Sequence, residues 1–153
     1  MKTVQKSVLI WFSPAEMYAL VVDIPRYPEF LPWCDQAAVL EETDTGLTAK
    51  IGISMAGLSQ SFTTRNTHIK DSQVKLSLVD GPFSNLDGEW NFLPVGADSD
   101  SALAERACKV ELTLRYDFDN SLLAAMVGPA FEKIANSMVD AFVKRAGTIY
   151  AEH

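Results

Sequence analysis

Two stretches of the chain alternate apolar and polar residues with a period of two. Across 47–55, Leu47, Ala49, Ile51, Ile53 and Met55 alternate with Thr48, Lys50, Gly52 and Ser54. Across 106–116, Cys108, Val110, Leu112, Leu114 and Tyr116 share one face, and Lys109, Glu111, Thr113 and Arg115 fall outside it. Successive side chains of a strand point to opposite faces, so both stretches predict half-buried strands. Further strands are predicted at 4–11, 37–43, 58–69, 74–79 and 83–93. Turn residues punctuate them at Asp44-Thr45-Gly46, Ala56-Gly57 and Asp80-Gly81-Pro82. Residues 94–104, with Gly96, Asp98, Ser99, Asp100 and Ser101, read as a polar loop.

The period changes at both ends of this strand region. Ser13-Pro14-Ala15-Glu16 has the chemistry of a helix start, with Ser13 and Glu16 as a capping box and Pro14 in the first helical position. Met17, Leu20 and Val21 continue at helical spacing until Asp23-Ile24-Pro25 breaks the pattern. Residues 26–31 predict a second short helix ended by Pro32. Near the C-terminus, Asp119, Asn120 or Ser121 can cap a long helix in which Phe131, Ile134, Met138, Phe142 and Ile149 track one face. Gly128-Pro129 predicts a kink or a brief break in it. Short turns between consecutive strands imply an antiparallel meander. The apolar helix face then has one large surface to bury against, the concave side of that sheet. The expectation is a single α+β domain over residues 1–153, with room for a ligand pocket between helix and sheet.

Composition narrows the function. Hydrophobic residues make up 48 % of the chain and charged residues 22 %, which excludes a disordered chain. No apolar run reaches the ~20 residues of a membrane span, and Val8-Leu9-Ile10-Trp11-Phe12 is too short for a signal peptide. A cytoplasmic protein is expected, with Cys34 and Cys108 as reduced thiols. The net charge of −7 opposes phosphate, so no DNA partner is expected. His68 and His153 are the only histidines, and no Cys/His cluster has metal spacing.

No catalytic constellation stands out. His68 reads as structural or surface, and His153 is terminal. Asp80, Asp87 and Glu89 suit a turn and a solvent face as well as an acid/base pair. Phosphate-cradling glycine motifs are absent. Two features ask for more. Phe30-Leu31-Pro32-Trp33 sets large apolar groups on a rigid connection, either as the mouth of a pocket or as a plug at one end of the sheet. Residues 61–68 are β-prone but polar on both faces. They form either an exposed edge strand, or a strand whose Phe62, Thr64 and Asn66 face inward and ask for polar partners. Met126, Met138, Phe83, Trp90 and Phe131 read first as core, although Met suits an adaptable lining.

The block Asp23-Ile24-x-x-Tyr27-Pro28-Glu29-Phe30-Leu31-Pro32-Trp33-Cys34 resembles the signature of the coenzyme Q-binding protein family. Its bacterial members are also described as ribosome association toxins (RatA-like) and, on older labels, as oligoketide cyclase/dehydratase. Phe62-Thr63-Thr64-Arg65-Asn66, Asp80-Gly81-Pro82-Phe83, Leu86-x-Gly88-x-Trp90-x-Phe92 and Ala141-Phe142-x-x-Arg145-Ala146 extend the resemblance over nearly the whole chain. It implies the START-like, helix-grip fold, a curved antiparallel sheet wrapped around the long helix. It also implies a tunnel that takes ubiquinone without turning it over, in support of respiration, or, for the toxin branch, a block on association of ribosomal subunits. Cyclase or aromatase activity, resting on fold alone, is a third reading. The ligand contacts expected are Phe30, Leu31, Trp33, Phe83, Trp90, Phe131 and Met138 as walls, Phe62 beside them, and Thr64 and Asn66 at the polar head. Partners would be a ubiquinone-like molecule, reached by transient membrane contact, or a ribosomal subunit. No catalytic residue, metal or redox cofactor is expected. Burying roughly 400 Å² of isoprenoid at about 25 cal/mol/Å² gives on the order of 10 kcal/mol gross, much of it offset by lost motion.

Overall fold

A computed structural model describes residues 2–55, 58–95 and 107–150, with backbone only for Met55 and Leu58. The expected turn at Ala56-Gly57, most of the polar loop at 94–104, Arg106 and His153 lie outside the described residues. Strand β1 (Lys2–Ile10) leads into helix α1 (Pro14–Val22) and a 3-10 helix, Ile24–Glu29. Six strands follow: β2 (Cys34–Thr43), β3 (Gly46–Met55), β4 (Leu58–Ile69), β5 (Gln73–Asp80), β6 (Phe83–Pro94) and β7 (Cys108–Phe118). Helix α2 (Ser121–Ile149) closes the chain.

Local chemistry explains the helix starts. Ser13 Oγ accepts from the Glu16 N–H at 3.1 Å and Glu16 Oε1 accepts from the Ser13 N–H at 2.9 Å, so the capping box is formed. Asn120 caps α2, its Oδ1 accepting from the Leu123 N–H at 2.7 Å. The predicted helix at 26–31 is instead the 3-10 segment, two residues earlier at its start. Pro25 and Pro28 lie within those six residues and lack the N–H groups an α-helix needs. Of the kink or brief break expected at Gly128-Pro129, the break is absent, α2 being continuous through both residues. Pro129 deprives the Ala125 carbonyl of its helical partner, but Ala125 and Pro129 are exposed, where water satisfies that oxygen.

The sheet order is β1-β7-β6-β5-β4-β3-β2, with every pair antiparallel. It is the expected meander, with the first strand returned to pair with the last. The edge-strand reading of residues 61–68 is therefore wrong. β4 lies inside the sheet between β3 and β5, and Thr64 and Asn66 are 4 % and 7 % exposed. Gly46 permits this close pairing, since a Cβ there would lie 1.8 Å from the Asn66 carbonyl oxygen.

Helix α2 lies on the concave face. Phe131 packs on Tyr116 and Phe83, with ring centroids at 4.7 and 5.1 Å. Phe142 packs on Trp90 and Phe30, both at 5.0 Å. The inner face of β7 is buried from Cys108 to Tyr116 as its alternation predicts. Two helix positions depart from expectation. Ile149 is exposed, Ala146 being the last buried residue of the stripe, and Met126 is exposed rather than core.

Candidate functional site

A cavity of about 80 Å³ lies between the sheet and α2. Its floor comes from β3 to β7, its roof from Phe131, Ile134 and Met138, and one end wall from Ile24, Tyr27 and Trp33. Antiparallel pairing sets Ala49 beside Thr64, and this small side chain leaves space that a larger residue would fill. The cavity wall is mostly hydrocarbon. Tyr27 contributes a hydroxyl, but it donates to the Val21 carbonyl, and burial, followed by the nearby Cys34 and Asp23, raises its pKa well above the ordinary tyrosine value.

The polar exception is Thr64 with Asn66. Two residues apart on one strand, they share a face, and Thr64 Oγ1 donates to Asn66 Oδ1 at 2.8 Å. Both residues line the cavity, and the Asn66 carboxamide carries two N–H donors besides the oxygen that Thr64 engages. A ligand carbonyl or hydroxyl oxygen is the complementary group.

Of the expected contacts, Trp33, Phe62, Thr64, Asn66, Trp90, Phe131 and Met138 line this cavity. Phe83 lines an adjoining void of about 20 Å³. Phe30 and Leu31 line neither. Leu31 is wholly buried in the core, while Phe30 lies between Phe142 and the Arg145 guanidinium, 5.0 Å from its ring. The Phe30-Leu31-Pro32-Trp33 segment thus both plugs one end of the sheet and supplies a cavity wall. Ile24, Tyr27, Ile51, Leu76, Leu86 and Leu112 were not anticipated as lining. In sequence they look like any other core residue.

The candidate acid/base groups lie elsewhere. Asp87 accepts from Arg115 through two nitrogens, the shorter contact 3.1 Å, and Asp80 is exposed. His68 is half-buried with its ring edge-on to Tyr18, and burial lowers its pKa. None of these residues lines the cavity. Arg26 and Arg145 both bind Glu29, Arg145 at 2.7 Å, which ties the 3-10 helix to the end of α2. Cys34 and Cys108 are free and buried. Among the described residues no group of three metal-ligating side chains gathers, and no helix is long and apolar enough to cross a membrane.

A seven-stranded antiparallel sheet curved round a long C-terminal helix, with an apolar chamber between them, is the START-like, helix-grip architecture. The ZhuI aromatase/cyclase from Streptomyces shares it, at a TM-score of 0.80 and 14 % identity over 95 % of this chain and 93 % of that one. The chain belongs to the polyketide cyclase/dehydrase and lipid transport family, whose model matches residues 10–143. The ribosome association toxin RatA of Pseudomonas aeruginosa is 41 % identical over 96 % of both chains. A mitochondrial coenzyme Q-binding protein homolog of Xenopus laevis is 27 % identical over 95 % of this chain and 58 % of its own length.

Proposed function

We propose that this protein acts by binding, not by turnover, as a RatA-type factor of the cytoplasm that hinders association of ribosomal subunits. The 41 % identity to a ribosome association toxin over nearly all of both chains carries this reading. The sequence resemblance implies quinone binding or ribosome association, and the relatives named for ribosome association support the second. With a net charge of −7 and two of its arginines paired to Glu29, contact with ribosomal protein is the more favourable mode than broad contact with RNA phosphate. Purified protein added in excess to ribosomes lowers the 70S peak of a sucrose gradient and raises the free subunits. An unchanged 70S peak removes the reading.

A second reading concerns the cavity. It takes an apolar molecule with a hydrogen-bond acceptor at one end, of which ubiquinone is the candidate. The buried Thr64–Asn66 pair supports it, because polar side chains on a hydrocarbon wall are costly unless something uses them. At about 80 Å³ the empty chamber is well below the roughly 300–1,000 Å³ of common ligand sites. Its walls therefore move apart on binding. Organic extracts of the protein should contain a quinone, or added quinone should raise the melting temperature. Empty extracts with an unmoved melting temperature end this reading and leave the ribosomal one intact.

A further inference from the structure

The small void beside the chamber suggests a path for the ligand, an inference that rests on the ligand reading above. The void is bounded by Gln60, Pro82 and Ala130 and shares Ile53, Phe62, Phe131 and Ile134 with the chamber. Those four side chains are thus a partition between two parts of one space. Ile53, Phe131 and Ile134 are buried in the core, whereas Phe62 is half-buried and meets the Phe83 ring edge-on at 5.8 Å. The Phe62 backbone is held from behind. Gly81, at φ 151°, lies so close that a Cβ there would be 2.7 Å from Phe62 Cβ. The β4–β5 register also shifts between Thr63 and Thr64. Phe62 itself lines both the chamber and the small void.

The opposite end of the chamber is walled by Ile24, Tyr27 and Trp33. Tyr27 is bonded to the Val21 carbonyl, Leu31 is wholly buried, and Arg145 clamps Glu29 at 2.7 Å. Beyond the small void the surface is apolar instead. Ala130, Met126 and Leu122 are spaced by four along α2 and so share a face, with Met126 54 % and Leu122 71 % exposed.

We propose that Phe62 is the gate of this chamber. The ligand lies with its hydrogen-bond acceptor at Asn66, and its aliphatic tail passes Phe62 and Phe131 to leave between Gln60, Pro82 and Ala130, along the Met126–Leu122 face. The class of ligand is then an elongated apolar molecule with one polar head, its tail only partly enclosed.

The probes are a tail-free benzoquinone and the same head with a short and with a long isoprenoid tail. The readout is quenching of Trp33 and Trp90, which line the chamber, in a Trp11→Phe background that removes the exposed tryptophan. Ala130→Phe narrows the exit, so it weakens the long-tailed probe about tenfold and leaves the tail-free probe unchanged. Gln60→Phe, on the opposite lip, gives the same discrimination should Ala130→Phe fold poorly. Phe62→Ala speeds entry of the tailed probes. If both lip variants treat all three probes alike, the tail leaves elsewhere and the path is overturned, with ligand binding intact. If no probe quenches the parent protein, the ligand reading fails and takes the path with it.

Discussion

Replacing Thr64 by Val and Asn66 by Leu separates a polar pair kept for a ligand from one kept for the fold. Both residues are nearly wholly buried and share one bond of 2.8 Å. Such a bond contributes about 0.5–1.5 kcal/mol net of desolvation, and replacing both of its partners by apolar groups of the same shape is nearly neutral or stabilising. The apolar double variant therefore unfolds with a stability between unchanged and about 2 kcal/mol higher. Asn66→Leu alone leaves the Thr64 hydroxyl without its acceptor, so it should be about 1–3 kcal/mol less stable than the double variant. Urea unfolding of the four members of the cycle measures both quantities. Ligand affinity should move the other way. Loss of one neutral hydrogen bond to a quinone carbonyl weakens binding by roughly two- to tenfold. A double variant destabilised by more than about 2 kcal/mol, with quinone affinity unchanged, would refute the reasoning and assign the pair to the fold.

Three further outcomes test the rest of the structure. Phe142→Ala removes a ring that is 1 % exposed and packed against Trp90, Phe30 and Tyr27, so urea unfolding should show a loss of about 3–5 kcal/mol; a loss below about 1 kcal/mol would mean that α2 is not anchored there. Burial lowers the pKa of His68 below 6.5, so the unfolded chain takes up its proton first as pH falls. Its contribution is complete above pH 6.5 and is lost as the pH drops through the folded value, and His68→Gln should flatten that part of the stability–pH curve. Burial, then the charge of Glu16, pushes the Cys108 thiol up to about 12, and burial also raises Cys34. Neither should be alkylated in the native protein at pH 8 within the time that labels the urea-unfolded chain, and rapid native labelling of Cys108 would contradict its placement.

Much of the architecture is legible in the residues because its signals are local. The Ser13–Glu16 capping box and the alternation from Cys108 to Tyr116 involve residues within a few positions of one another, and the structure reproduces both. Helix boundaries were less legible where proline acts. Pro25 and Pro28 convert a predicted helix into a 3-10 segment, whereas Pro129, on the solvent side of α2, breaks nothing. The chamber was legible in part. Aromatic residues stand out in the sequence, but Ile51, Leu76, Leu86 and Leu112 line it because of how strands register across the sheet, and Ile24 because the 3-10 helix walls one end.

By itself the sequence determined which side of β3 and of β7 is apolar, how the helices start, and that a long helix needs a concave sheet to cover it. These follow from backbone periodicity and from the cost of leaving apolar surface in water. What only the tertiary structure decided is who neighbours whom. Alternation cannot say whether Thr64 and Asn66 stand on an edge or in the interior, because pairing partners are distant in sequence. Pairing with β3 on one side and β5 on the other put both side chains beneath α2, and that burial turns two ordinary polar residues into the polar end of an apolar chamber.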